Sequence, residues 1–153
     1  MIPLEVIQII TGFIGGVGFA FLFNIRGKRL VFAGLGSLLS WSLFLFLNVY
    51  IKSEPVCYFL VALALSIYAE IMARIIKTPT TTFIMTSLIP LIPGSSLYYT
   101  MRYLIDGGGE TFINTAITTL SLSIALALGI IVATALTRFV TLINGKLKKS
   151  IQK

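Results

Sequence analysis

Apolar residues fill this chain in five long runs, and polar or turn-forming residues gather between them. The runs cover residues 2–23, 30–51, 56–76, 83–105 and 111–138, each near the roughly 20 residues a helix needs to cross a bilayer core. None alternates polar and apolar positions as a barrel strand does. The separators are Asn24-Ile25-Arg26-Gly27-Lys28-Arg29, Lys52-Ser53-Glu54-Pro55, Thr78-Pro79-Thr80-Thr81-Thr82 and Asp106-Gly107-Gly108-Gly109-Glu110. The pattern predicts an all-α membrane protein, a single five-helix transmembrane domain over residues 1–153. Gly27 is available as a helix stop in the first of these turns, and Thr78 before Pro79 is an expected helix start. The first run has no basic segment before it and no small-residue cleavage site after it, so it is expected to stay as a span.

The fourth run carries an interruption, Pro90-Leu91-Ile92-Pro93-Gly94-Ser95-Ser96. Each proline removes a backbone N–H and clashes with the preceding turn. Gly94 adds backbone freedom. A helix broken at Pro90–Gly94 is therefore expected, with Ser95 and Ser96 capping a new helix through Leu97, Tyr98, Tyr99 and Met101. The break falls about ten residues into its span, some 15 Å along at helical rise and near mid-membrane. Unpaired backbone there survives only against protein or a water-filled cavity. A half-helix starting at that depth aims free N–H groups and a partial positive charge at its surroundings, a device for holding an anionic group. The alternative is a proline kink satisfied by a neighbouring helix.

Composition agrees with a membrane location. The 153 residues are 57% hydrophobic and 11% charged, with mean hydropathy +0.99; a soluble domain carries about 25% charge. The net charge of +7 does not mark a nucleic-acid binder, because the basic residues sort by side. Arg26, Lys28, Arg29, Arg74, Lys77, Arg138, Lys146, Lys148, Lys149 and Lys153 fall on one side of a five-span layout, and only Lys52 and Arg102 on the other. The positive-inside rule then places the N-terminus outside and the C-terminus in the cytoplasm, with the basic tail against the anionic lipid surface. The chain has no histidine and one cysteine, Cys57. No intrachain disulfide, metal cluster or cofactor site is expected, and an intramembrane enzyme lacks both a histidine dyad and a carboxylate pair. A passive channel stays open as a reading, since a broken helix also lines pores.

Within the spans, Gln8, Thr11, Gly12, Gly15 and Gly16 share one face of the first helix, read foremost as a packing face. Ser37, Ser40 and Trp41 share a face of the second. Ser66, Glu70, Arg74 and Lys77 share an arc of the third. Glu70 is the one acid expected inside the hydrocarbon, a candidate for a coupling proton with Arg74 as its i,i+4 partner; the plain alternative is a pair that fixes packing. Thr111, Asn114, Thr115, Thr118 and Thr119 form a polar stripe on the fifth helix, read as interhelical hydrogen bonding before a hydrophilic path. Five spans make an odd half for a transporter of inverted repeats, so a partner of opposite topology is expected.

Three stretches carry a family likeness: Phe23-Asn24-Ile25-Arg26-Gly27-Lys28-Arg29 with Ala33-Gly34-Leu35-Gly36; Tyr68-Ala69-Glu70-Ile71-Met72-Ala73-Arg74 with Lys77-Thr78-Pro79; and Ile89-Pro90-Leu91-Ile92-Pro93-Gly94-Ser95-Ser96-Leu97-Tyr98-Tyr99-Thr100-Met101. Across nearly its whole length the chain resembles the small, C-terminal-half subunit of the split threonine/serine exporter family, which also includes a two-subunit succinate exporter. The resemblance implies export of small hydrophilic metabolites at the plasma (inner) membrane, driven by the proton or another ion gradient. It also implies a larger partner subunit with a cytoplasmic domain and its own membrane half; a homo-oligomer is the other assembly considered. Relatives often carry further glycines where this chain has Ser95 and Ser96. The substrate carboxylate is expected at the half-helix start, with Pro93 and Gly94 shaping the site, Ser95 and Ser96 donating to it, and Tyr98 and Tyr99 walling it. The competing expectations are a succinate exporter subunit and a scaffold that stabilises its partner without a site of its own.

Overall fold

A computed structural model describes the backbone of residues 3–151 and the side chains of residues 3–143. Ile2 and the basic side chains of Lys146, Lys148, Lys149 and Lys153, expected at the lipid surface, lie outside the described residues. Six α-helices follow one another: α1 (Leu4–Leu22), α2 (Lys28–Tyr50), α3 (Glu54–Ile76), α4 (Thr80–Leu88), α5 (Gly94–Ile105) and α6 (Gly109–Ile151). One 3-10 turn, Ile89–Leu91, separates α4 from α5. No strand occurs among the described residues. Among the described residues, four helices are long and apolar enough to cross a membrane: α1, α2, α3 and the stretch Gly109–Ile143 of α6. α4 and α5, at 9 and 12 residues, are too short to do so singly.

The expected fourth span is thus two helices and a turn, as its prolines dictate. The fifth is longer than the 111–138 run suggests. α6 has 43 residues, about 65 Å at helical rise, or twice a bilayer core. The first helix ends at Leu22, as the 2–23 run suggests, and it is Asn24 rather than Gly27 that makes the stop. Asn24 takes the left-handed conformation at φ 57°, Ile25 N–H bonds Ala20 O at 2.9 Å, and Asn24 N–H bonds Phe21 O at 2.9 Å. That is a Schellman stop built on asparagine, which tolerates positive φ better than other side chains. Gly27, at φ 65°, instead stands at the N-cap of α2.

α3 and α6 run parallel. Gly129 of α6 lies against Phe59 and Ala62 of α3, and twelve residues further along both helices Arg74 bonds Thr141. The contact at Gly129 is lined by small residues, with Ala62 and Ser66 buried on α3 and Ala125 and Ala133 on α6. A methyl group on Gly129 would stand 2.7 Å from both the Ala62 Cβ and the Phe59 carbonyl oxygen. Such close backbone approach is how membrane helices gain contact energy without a hydrophobic drive.

Two apolar clusters mark the ends of the bundle. One joins Phe44, Tyr58, Val61, Leu88, Leu91 and Leu122 near the α2–α3 turn. The other joins Ala20, Ile25, Ala33, Ala73 and Phe83 where the α1–α2 and α3–α4 turns meet. Arg26, Lys28, Arg29, Arg74 and Lys77 therefore stand at one end of the molecule, as their positions in the sequence require.

Candidate functional site

Pro90 has no N–H to offer the carbonyl of Thr86, four residues back. Ser37 supplies the missing bond: its hydroxyl donates to Thr86 O at 2.8 Å and is shared with Ala33 O at 3.2 Å. Two glycines make room for this. A Cβ on Gly16 would overlap the Ser37 hydroxyl, and one on Gly36 would overlap Ser87 Oγ. α1, α2 and α4 touch there, and Ser37 satisfies the carbonyl that Pro90 leaves open. Gly12, in the middle of α1, faces Pro90 and Trp41, each about 3.6 Å from where its Cβ would stand.

Beyond Leu91 the backbone is held by tight local bonds, Ile92 N–H to Ile89 O at 3.1 Å and Gly94 N–H to Ile92 O at 2.7 Å. α5 then starts at Gly94 with Pro93 in the cap position and no side-chain cap. The capping expected of Ser95 and Ser96 is corrected by this. Proline's fixed φ, here −74°, starts the helix one residue earlier and leaves both serines inside the first turn. Leu97 N–H reaches Pro93 O at 3.0 Å, whereas the N–H groups of Ser95 and Ser96 have no backbone acceptor. A methyl on Gly94 would meet nothing within 4 Å.

The other site candidates divide. Ser95 is exposed. Ser96 Oγ pairs with Thr119 Oγ1 at 2.8 Å, and Thr100 Oγ1 joins them, 3.2 Å from Thr119 and 2.7 Å from Ser96 O. Tyr98 and Tyr99 are exposed, edge to face with ring centroids 5.5 Å apart. Glu70 and Arg74 form a 3.6 Å pair. The Glu70 side chain is 17% exposed and that of Arg74 55%, and Arg74 also donates to Thr141 Oγ1 at 2.7 Å. The structure does not bring this pair to the break. Its bonds are within the pair and to Thr141, and Glu70 is five residues, about 7 Å along α3, beyond Leu65, the last residue of that helix in the cluster with Leu88 and Leu91.

In the polar stripe of α6, only Thr119 crosses to another helix. Thr115 and Thr118 return their hydroxyls to the carbonyls of Thr111 and Asn114, the usual self-satisfaction of hydroxyls in membrane helices. Two features went unread in the sequence. One is Ser37 as a substitute donor, which no local spacing marks. The other is the seam face Ala125, Gly129 and Ala133, whose four-residue spacing of small side chains was there to find.

A furrow runs along one face of α1. Its first part, about 280 Å³, is lined by Gln8, Thr11, Gly12, Gly15, Trp41, Ile89 and Pro90. Its second, about 380 Å³ and apolar, is lined by Phe19, Phe23, Met85, Ile89, Ile92 and Gly94. Ile89 lines both.

Compared with known protein families, residues 8–136 match the one described as Threonine/Serine exporter, ThrE. No curated protein and no solved structure matches the chain. The matched stretch takes in α1 through most of the α3–α6 seam, with the break and both parts of the furrow inside it. On that coverage the chain belongs to the threonine/serine exporter (ThrE) family.

Proposed function

We propose that this chain is one half of a secondary transporter that exports threonine and serine across the plasma membrane. The family match over residues 8–136 carries this reading; the family is one of membrane exporters. The parallel course of α3 and α6 supports five crossings. If both run the same way, α4, the turn and α5 together must pass once through the layer between them. Termini on opposite sides follow, and the positive-inside rule sets the N-terminus outside. An odd half of this kind is completed by an inverted partner, in this reading a larger subunit with its own membrane half and a cytoplasmic domain.

The substrate carboxylate sits at the start of α5, where two N–H groups are free and the helix dipole favours an anion. Pro93 and Gly94 hold that turn open. Ser95 donates its hydroxyl, and Ser96 ties the turn to α6. Tyr98 and Tyr99 wall the approach. Glu70 carries the coupling proton and exchanges it as its pairing with Arg74 is made and broken.

The test is efflux of labelled threonine, serine and succinate from preloaded cells. The cells express the chain alone, with a partner subunit, and as Gly94→Leu with that partner. Because Gly94 has open space around it, the variant should fold and assemble. Efflux of threonine and serine that needs both chains and is lost in Gly94→Leu is the expected result. Succinate efflux alone would reassign the substrate, and efflux indifferent to Gly94 would reduce the chain to a scaffold.

A further inference from the structure

Three buried serines keep hydroxyls with no partner among the described residues: Ser40, Ser66 and Ser87. Ser66 belongs to the α3–α6 contact. The other two meet beside the break. Ser87 Oγ stands where a Cβ on Gly36 would be. Ser40 is the next residue on that face of α2, and Cβ positions four residues apart on a helix are about 5–6 Å apart. The two hydroxyls therefore lie about one helical turn from each other, between α2 and α4, and both side chains are fully buried. A third oxygen lies one turn past Ser87. Leu91 is fully buried, and its carbonyl receives no backbone N–H, since Gly94 N–H turns to Ile92 O and Ser95 N–H has no backbone acceptor. α2 stands beside this turn as well: Trp41, next to Ser40, packs in one apolar cluster with Leu91.

Unpaired polar groups are costly in a membrane interior, and one kept there without a protein partner calls for a partner from outside the chain. All three groups offer oxygen lone pairs. Ser87 is also the last residue but one of α4, where the helix dipole places partial negative charge. Such a place favours a cation; unwound carbonyls and the C-terminal ends of half-helices hold ions in this way. A hard cation keeps oxygens at about 2.3–2.6 Å, so two ligands facing each other across it are about 5 Å apart, near the separation of the two serines. Its charge follows from the ligands. Divalent ions that take oxygen ligands use carboxylates, and Glu70 is engaged with Arg74. We infer that Ser40, Ser87 and the Leu91 carbonyl bind a monovalent alkali cation, which pins the end of α4 to α2 at the break. Binding of this ion requires no transport, so the site stands apart from the exporter reading.

Thermal unfolding of the purified full chain in detergent tests the site. Sodium, potassium and choline chlorides are compared at constant ionic strength, for the wild type, Ser40→Ala, Ser87→Ala and Ser42→Ala. A cation bound only by the folded chain raises the midpoint saturably. Sodium or potassium should therefore exceed choline, and the salt that saturates at the lower concentration names the ion. Ser40→Ala and Ser87→Ala should weaken its apparent affinity by about tenfold or more. Ser42→Ala, whose hydroxyl is satisfied by Leu38 O in its own helix, should leave the rise intact. The chain's one tryptophan, Trp41, adjoins Ser40, and its fluorescence gives a second titration that needs no unfolding. Midpoints and fluorescence that do not distinguish either alkali salt from choline overturn the site, and a buried water is then the partner of these oxygens. An alkali response unchanged in Ser40→Ala and Ser87→Ala places the ion elsewhere and overturns it too. Gly94-dependent efflux without a cation response removes this site and leaves the exporter reading standing. A cation response lost in both serine variants, without efflux, does the reverse.

Discussion

α3 and α5 both lie against α6, in opposite ways. α3 meets it along a parallel seam of small residues in which Gly129 allows backbone to approach backbone. α5 meets it through hydroxyls, Ser96 and Thr100 around Thr119, with Thr100 its one buried residue. α6 is also the main neighbour α5 has. Both ends of α5 are turn-forming: Pro93 with Gly94 at its start, and Gly107 at φ 73° just past its end. A seam of close-packed small residues resists displacement, because any opening forfeits many contacts at once. A few hydroxyl pairs can be exchanged for others at small cost. The difference separates a frame from an element able to move on it, and the break that presents the free N–H groups lies at the junction of the two.

The largest effect should come from the frame. Gly129→Ala places a methyl against the Ala62 Cβ, the Phe59 carbonyl and the Leu63 amide nitrogen. Backbone cannot rotate out of the way, so a loss of about 2–3 kcal/mol is expected. Thermal unfolding in detergent should show it as a clear drop in midpoint, against almost none for Gly94→Ala in open space. Equal drops would mean that α3 and α5 are held alike.

Ser37→Ala comes next. It leaves the Thr86 carbonyl buried beside Pro90 with no donor, at about 1–3 kcal/mol. Hydrogen exchange should rise at α4, with α3 and α6 unchanged. A stable variant with normal exchange would show that the interruption does not depend on its substitute donor.

Thr119→Val tests the other side of the comparison. It keeps the shape and removes the hydroxyl that joins α5 to α6, a change of about 1 kcal/mol in a membrane interior. Exchange should quicken over residues 94–105 alone, with little change in unfolding midpoint. A global loss of stability would place α5 in the frame.

What the sequence made legible follows the same division. Pro90, Pro93 and Gly94 announce the break because their effect is covalent and local. Four of the helices follow from apolar length for a similar reason: lipid imposes one requirement on every residue of a run. The end of the first helix near Phe23 was legible, but not the residue that takes the left-handed turn, because Asn24 and Gly27 both tolerate positive φ and only the bonds back to Ala20 and Phe21 choose between them. The length of α6 was missed because its polar C-terminal turns contain no proline to end it. Ser37 could not be paired with Thr86 in advance, since their 49-residue separation closes only when α2 meets α4. For the candidate site, the residues at the break were nameable, but the furrow beside it exists only once α1 lies across Pro90.

Glu70 should give the smallest change in stability and, on the proposed coupling role, a distinct change in behaviour. Its partner Arg74 is more than half exposed and the pair is 3.6 Å long, so the attraction is screened and contributes about 0.5 kcal/mol at most. Arg74 keeps Thr141 when the carboxylate is gone, and Glu70→Gln retains the volume, so the α3–α6 seam should survive. A packing role predicts nothing more: efflux in Glu70→Gln would match the wild type at every pH. A coupling role predicts that wild-type efflux grows with an inward proton gradient and that Glu70→Gln moves substrate at a rate indifferent to the gradient. Because Glu70 bonds Arg74 and not the residues of the break, a coupling role requires α3 or α4 to shift during the cycle. Gly129→Ala, by disturbing the seam on which α3 rests, should then weaken the response to the gradient as well as the fold. A full gradient response in a weakened Gly129→Ala protein would place the coupling step outside the seam.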